Sequence, residues 1–238
     1  MPDPRDRLIV ALDVSSAAAA RKIVAAVGDS ASTYKVGMQL YTAEGPQIVR
    51  DLVGSRRQVF LDLKYHDIPN TVAAAVKDAA ALGVSMLTVH AAGGSKMLRA
   101  AAEAARAVNP SAIVLAVTVL TSMDEDELHS VGVPAGMEEQ VLRLASLALT
   151  SGCQGIVSSA REAPALRRKL GTEFALVTPG VRPAGGDVQD QARVVTPAEA
   201  IAAGASHIVV GRPITSAADP ASAAASILDQ LAAASTYA

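Results

Sequence analysis

Short runs that are apolar at nearly every position alternate along this chain with longer Ala-rich stretches whose apolar residues recur at helical spacing. The short runs predict strands over Leu8–Val14, Thr33–Met38, Gln58–Leu63, Met86–Ala91, Ala112–Leu120, Gly155–Ser159, Phe174–Pro179 and His207–Gly211. Most carry no polar face, the pattern of parallel strands covered by helices on both sides. Helices are predicted near 16–27, 41–54, 70–82, 94–107, 137–150, 161–169, 197–203 and 220–234. Gly83, Gly152 and Gly204 stand just past helix ends, the place of a left-handed cap. Eight strand–helix units in 238 residues predict an α/β fold, a single (β/α)8 TIM barrel spanning residues 1–238 as one domain. An open doubly wound sheet is the alternative, but no G-x-G-x-x-G follows the first strand.

Polar residues interrupt this pattern at the strand ends. The third strand runs into Asp62-Leu63-Lys64-Tyr65-His66-Asp67-Ile68-Pro69-Asn70, with three charges of alternating sign. Residues two apart in a strand share a face, so Asp62 and Lys64 point the same way, and Asp67 follows before Pro69 opens a helix. Carboxylates flanking one ammonium keep it charged and fixed, ready to deliver a proton. Read alone, the segment equally describes an ion pair tying a strand to its loop. Other strand ends add Asp13, Lys35, His90, Thr121-Ser122, Thr178-Pro179-Gly180 and Gly211-Arg212. In a barrel these ends share one mouth, and bare charges gathered there need a purpose.

The last quarter carries a second signal. Val181-Arg182-Pro183 leads into Gly185, Gly186 and Asp187, then Gln189-Asp190-Gln191, and the eighth strand enters Gly211-Arg212-Pro213. Loops after strands seven and eight of this fold often bind phosphate. Arg182 and Arg212 supply forked donors, Gly211 permits close backbone approach, and Gln191 can reach across. Either arginine alone reads as a solvated surface charge. The glycine-bearing loop after strand seven is able to close over a ligand.

Composition narrows the class further. Half the residues are hydrophobic and only 3% aromatic, which suits helix–sheet packing. A net charge of −2 and no basic run give no nucleic-acid footprint. The single cysteine, Cys153, excludes an internal disulfide framework and reads as a small buried thiol. The polar start, Met1 to Arg7, is expected to turn straight into a strand and lacks a secretory signal. No apolar stretch is long enough to span a membrane, so a cytoplasmic location is expected. His66 is expected behind the charge pair, His90 in a structural role, and His129 and His207 at the surface or in the core. Met38, Met86 and Met97 read as packing residues, and Met123–Gly136 as a short solvated helix and loop.

With these residues placed, the chain resembles the orotidine 5′-phosphate decarboxylase family in its bacterial form. The likeness runs through Ala11-Leu12-Asp13, Tyr34-Lys35-Val36-Gly37, Asp62–Thr71, Val119-Leu120-Thr121-Ser122, Thr178–Pro183 and Gly211-Arg212-Pro213-Ile214. Tyr65 stands where phenylalanine is commoner in the family. The resemblance implies decarboxylation of orotidine 5′-monophosphate to UMP in pyrimidine synthesis, with no cofactor and no metal. It makes Lys64 the proton donor to C6, puts Asp62 beside the substrate carboxylate, and joins Lys35, Asp62, Lys64 and Asp67 in one charge array. It gives ribose hydroxyls to Asp13 and Lys35, the ribose or pyrimidine amide to Thr121 and Ser122, and the carboxylate pocket to Ile68. Pro179 joins the substrate-binding set, and Arg182, Gln191, Gly211 and Arg212 take the 5′-phosphate. It further implies a homodimer in which Asp67 and Thr71 cross the interface. Two rivals stay open: a sister barrel making a magnesium-stabilised enediolate of a sugar phosphate, which shares D-x-K-x-x-D, and a non-catalytic nucleotide-binding barrel.

Overall fold

The computed structural model describes residues 3–183 and 195–235. Eight parallel strands close into a barrel in chain order: β1 (Leu8–Ala11), β2 (Thr33–Gly37), β3 (Gln58–Tyr65), β4 (Met86–His90), β5 (Ile113–Val117), β6 (Gly155–Val157), β7 (Ala175–Thr178) and β8 (His207–Val210). β8 returns to pair with β1 through Leu8–Ile208, Ile9–Val209 and Val10–Val210. Alternating side chains then build two cores. Ile9, Ala11, Phe60, Met86, Leu115, Val177 and Val209 fill the barrel interior. Leu8, Val10, Val59, Leu61 and Leu87 face outward against the helices, among residues such as Leu40, Ile48, Leu98, Ile227 and Leu231.

Seven strands stop one to three residues short of their expected C-terminal ends, because the chain there turns into the loops and helix starts that form the mouth. β3 does the opposite and runs on to Tyr65. The helix expected at 41–54 is two, Met38–Glu44 and Gln47–Gly54. Gly45 at φ 65° caps the first, and Pro46, which has no N–H to give, separates it from the second. A one-turn helix, Pro4–Arg7, capped by the Asp3 carboxylate, precedes β1 where direct entry into the strand was expected. The solvated helix in the 123–136 stretch is Glu125–Ser130, capped by Asp124.

The N-terminal foot of the barrel is sealed by cations donating to backbone carbonyls. Arg167 donates through Nε to Gly204 O at 2.8 Å and through Nη1 to Phe174 O at 3.1 Å, its guanidinium 4.4 Å over the Phe174 ring. Arg7 donates through Nη2 to Ala205 O at 3.0 Å and through Nε to Ser206 O at 3.2 Å. Beside it His207 meets Ser206 Oγ through Nδ1 at 2.9 Å, and burial pushes its pKa down to about 4. Cys153 is buried here too, its thiol pushed up to about 12 by burial. No helix of the described residues is long and apolar enough to cross a membrane.

Candidate active site

At the opposite end, the C-terminal ends of the strands surround a cavity of about 380 Å³. Its floor is the top of the interior core: Ala11, Phe60, Val117, Val157 and Val209. Its walls carry nine residues singled out from sequence: Asp13, Lys35, Asp62, Lys64, Thr121, Pro179, Arg182, Gly211 and Arg212. Apolar floor and polar rim suit a small ligand whose charged groups stay near the opening.

One wall is a continuous charge array. Lys64 Nζ donates to Asp62 Oδ1 at 2.9 Å, Lys35 Nζ lies 3.6 Å from Asp62 Oδ2, and Lys35 Nζ donates to Asp13 Oδ1 at 3.0 Å. Lys35 and Asp62 side chains are each 13% exposed, Lys64 25% and Asp13 57%, so the array is deepest at its centre and opens at Asp13. Inside one chain the ion pairs therefore run Asp13–Lys35–Asp62–Lys64, with Asp13 at the open end. Gly37 gives the array its room: a Cβ there would sit 3.0 Å from Lys35 Nζ.

Strand alternation alone does not bring Lys64 to Asp62. The β3–β4 ladder is broken between Leu61 and Tyr65, and Lys64 lies at φ 53°, left-handed backbone that a side-chain-bearing residue rarely adopts. Two interactions support that conformation besides the ion pair. The Lys64 N–H donates to Thr88 Oγ1 at 2.9 Å, and that hydroxyl donates to Asp62 Oδ1 at 3.0 Å. Thr88 escaped the sequence reading because a threonine inside a strand reads simply as a good strand former. Tyr65 packs against the outer core, away from the cavity.

Two arginines line the rest of the mouth, Arg182 across the barrel from β3 and Arg212 beside β1 at the Asp13 end of the array. Arg182 follows β7, which stands four strands from β3; it is only 8% exposed and its N–H donates to Val195 O at 3.0 Å. Arg212 opens the turn after β8. A Cβ on Gly211 would lie 3.6 Å from the Ala11 Cβ and 3.7 Å from Asp13 Oδ2, within the mouth, so glycine here keeps ligand space clear. Gln191 and the glycines Gly185 and Gly186 lie outside the described residues.

Other sequence-predicted residues do not line the chain's own cavity. Asp67 is exposed and its Oδ1 accepts the Ile68 N–H at 2.6 Å. Ile68 is 66% exposed, and Thr71 and Ser122 are exposed as well. Met38, read as a packing residue, is 55% exposed where the first helix after β2 begins, whereas Met86 and Met97 are buried as expected. His90 ends β4 with its ring centroid 5.5 Å from that of the exposed His66. Burial first, then His66 and Lys64, hold His90 below the ordinary histidine range. Among the described residues no group of three or more His, Cys, Asp or Glu is placed to hold a metal ion.

Comparison with known proteins agrees with this geometry. Residues 6–227 match the model of the Orotidine 5'-phosphate decarboxylase / HUMPS family. The chain is 52% identical over 233 residues to orotidine 5'-phosphate decarboxylase of Moorella thermoacetica, covering 95% of this chain and 92% of that protein. It is 52% identical over 234 residues to the enzyme of the same name from Halorhodospira halophila, covering 98% and 99%. The crystal structure of orotidine 5'-phosphate decarboxylase from Lactobacillus acidophilus superimposes with a TM-score of 0.85 at 40% identity, covering 94% of this chain and 98% of that one. Barrel, charge array and matched length agree, and the chain belongs to the Orotidine 5'-phosphate decarboxylase / HUMPS family.

Proposed function

We propose that this chain decarboxylates orotidine 5′-monophosphate to UMP. The observation that carries the reading is the Asp13–Lys35–Asp62–Lys64 array in a cavity that Arg182 and Arg212 also line. The two arginines grip the 5′-phosphate, with Gln191 as a further donor, while Asp13 and Lys35 take ribose hydroxyls. Thr121 and Ser122 serve the ribose or the pyrimidine amide, and Pro179 joins the substrate-binding set. The C6–carboxylate bond breaks, carbon dioxide leaves, and the electron pair remains on C6 in the ring plane, where the π-system does not delocalise it. The Lys64 ammonium stabilises that charge as it develops and then donates its proton to C6. Asp62 stands beside the departing carboxylate and disfavours the ground state relative to the transition state. Lys35, between two carboxylates, holds Asp62 in place. Every charge the step needs is supplied by the protein.

The family likeness also points to a homodimer. Asp67, Ile68 and Thr71 are exposed and turned out of their own cavity, so a neighbour's cavity is where they act. A phosphate ester does not cross a membrane unaided, which supports a site in the compartment where the nucleotide is made, the cytoplasm. The magnesium reading is disfavoured by Lys35, whose ammonium occupies the space between Asp13 and Asp62 that a divalent cation would need.

The test is the ultraviolet change when the protein meets orotidine 5′-monophosphate. Turnover that persists in excess EDTA is expected, and loss on chelation would favour the sugar-phosphate reading. Mixing inactive Lys64→Ala and Asp67→Ala chains tests the shared site. Random reassortment should restore about a quarter of wild-type activity, since half the dimers then hold one complete site. No restoration would confine Asp67 to its own chain.

A further inference from the structure

We infer that Thr88 is a positioning residue for the charge array: its hydroxyl sets both the Asp62 carboxylate and the Lys64 backbone. Leu61 pairs with Leu87 and Tyr65 with Val89, so Asp62, Leu63 and Lys64 all stand opposite one β4 residue, Thr88. A bulge of this size leaves backbone groups without ladder partners, and bulges beside active sites commonly re-aim a side chain. Thr88 answers it with a single hydroxyl used in both directions. The oxygen accepts the Lys64 N–H at 2.9 Å, and its hydrogen goes to Asp62 Oδ1 at 3.0 Å.

The position itself argues for the role. Thr88 is fully buried, and strand alternation turns it inward after Met86, whose side chain belongs to the apolar interior. Valine would fill the same space with better apolar packing, and a buried hydroxyl costs free energy unless it is bonded. Both of its capacities are used on the array. Asp62 Oδ1 is thereby held between the Thr88 hydroxyl and Lys64 Nζ at 2.9 Å, leaving Oδ2 toward Lys35. Lys64, one of two non-glycine residues with positive φ among those described, is held in that conformation by the same oxygen. Such backbone persists where its surroundings over-determine it. Thr88 does not line the cavity, so it acts through Asp62 and Lys64 and not on the ligand.

The activity arm of the test rests on the decarboxylase reading. Thr88→Val should lower kcat by about 10–100-fold, the range for losing a supporting hydrogen bond or displacing a reacting group by an ångström. KM for orotidine 5′-monophosphate and Kd for UMP should stay within about twofold, because the phosphate and ribose contacts are untouched. Thr88→Ser, which keeps the hydroxyl, should recover most of kcat. The second arm needs no substrate: amide hydrogen exchange at Lys64 should be slow in wild type and Thr88→Ser and faster in Thr88→Val. Wild-type kcat in Thr88→Val would overturn the inference. So would a Thr88→Ser variant as impaired as Thr88→Val, or equal exchange at Lys64 in wild type and Thr88→Val. If the wild type itself fails to turn over the substrate, the proposed function falls, while the exchange arm still decides the role of Thr88.

Discussion

The two ends of the barrel use the same residue types to opposite effect. At the foot, Arg7 and Arg167 donate to neutral backbone carbonyls between strand and helix, and His207 is held uncharged. These contacts close the structure and offer a ligand nothing. At the mouth, Lys35 and Lys64 pair with carboxylates, and their heads line an open cavity. A cation bonded to carbonyls serves the fold; a cation bonded to carboxylates beside a cavity serves a reaction.

The comparison is broken most sharply by exchanging activity for stability. Lys64→Ala should lower kcat by at least about 10³-fold with little change in unfolding free energy, because it removes the proposed proton donor and a partly exposed ion pair. Decay of orotidine 5′-monophosphate absorbance and a urea titration measure the two quantities on one preparation. The mirror result is expected at the foot. Arg167→Ala should cost about 2–4 kcal/mol of stability, since it leaves buried carbonyls unpaired and strips the Phe174 ring of its cation. Protein that remains folded should keep its kcat.

His207 sharpens the contrast through pH. Its folded pKa of about 4 lies below the ordinary 6.5, so stability from the neutral ring is complete above 6.5 and is lost as pH falls toward 4. The loss amounts to about 3 kcal/mol, with burial as the main cause and Arg7 adding to it while Asp6 opposes. His207→Gln should flatten that part of the stability profile, measured by urea unfolding at stepped pH. A wild-type-like slope in the variant would remove His207 from this role. The smallest effect is expected at Gly37→Ala. Its Cβ would force Lys35 Nζ back by a few tenths of an ångström, and kcat/KM should fall by about tenfold with stability nearly unchanged.

The barrel was legible because its strands are apolar on both faces and glycines such as Gly83, Gly152 and Gly204 mark where helices stop. The charge array was legible because ionisable residues stand at strand ends that a barrel must gather. What stayed hidden is local. The Gly45-Pro46 break is masked in the sequence because the apolar pattern continues through it. The left-handed turn at Lys64 has no sequence mark, since lysine adopts it only when tertiary contacts hold it there. Thr88 is invisible for the same reason, its meaning lying in a β3 bulge opposite it. The pairing of Asp13 with Lys35 has no mark in the sequence either, because it is set by how β1 and β2 align.

The seam between β1 and β8 has a consequence for how the protein is made. Asp13 follows one strand of that seam and Gly211 the other, and they meet at the rim of the same cavity. Chain emerging from a ribosome exposes the first at the start of synthesis and the second near its end. The reaction centre is thus completed only when the most sequence-distant pairing in the barrel forms, a slow closure by its contact order. A truncated or stalled chain can hold Asp13, Lys35, Asp62 and Lys64 and still have no mouth to hold a nucleotide.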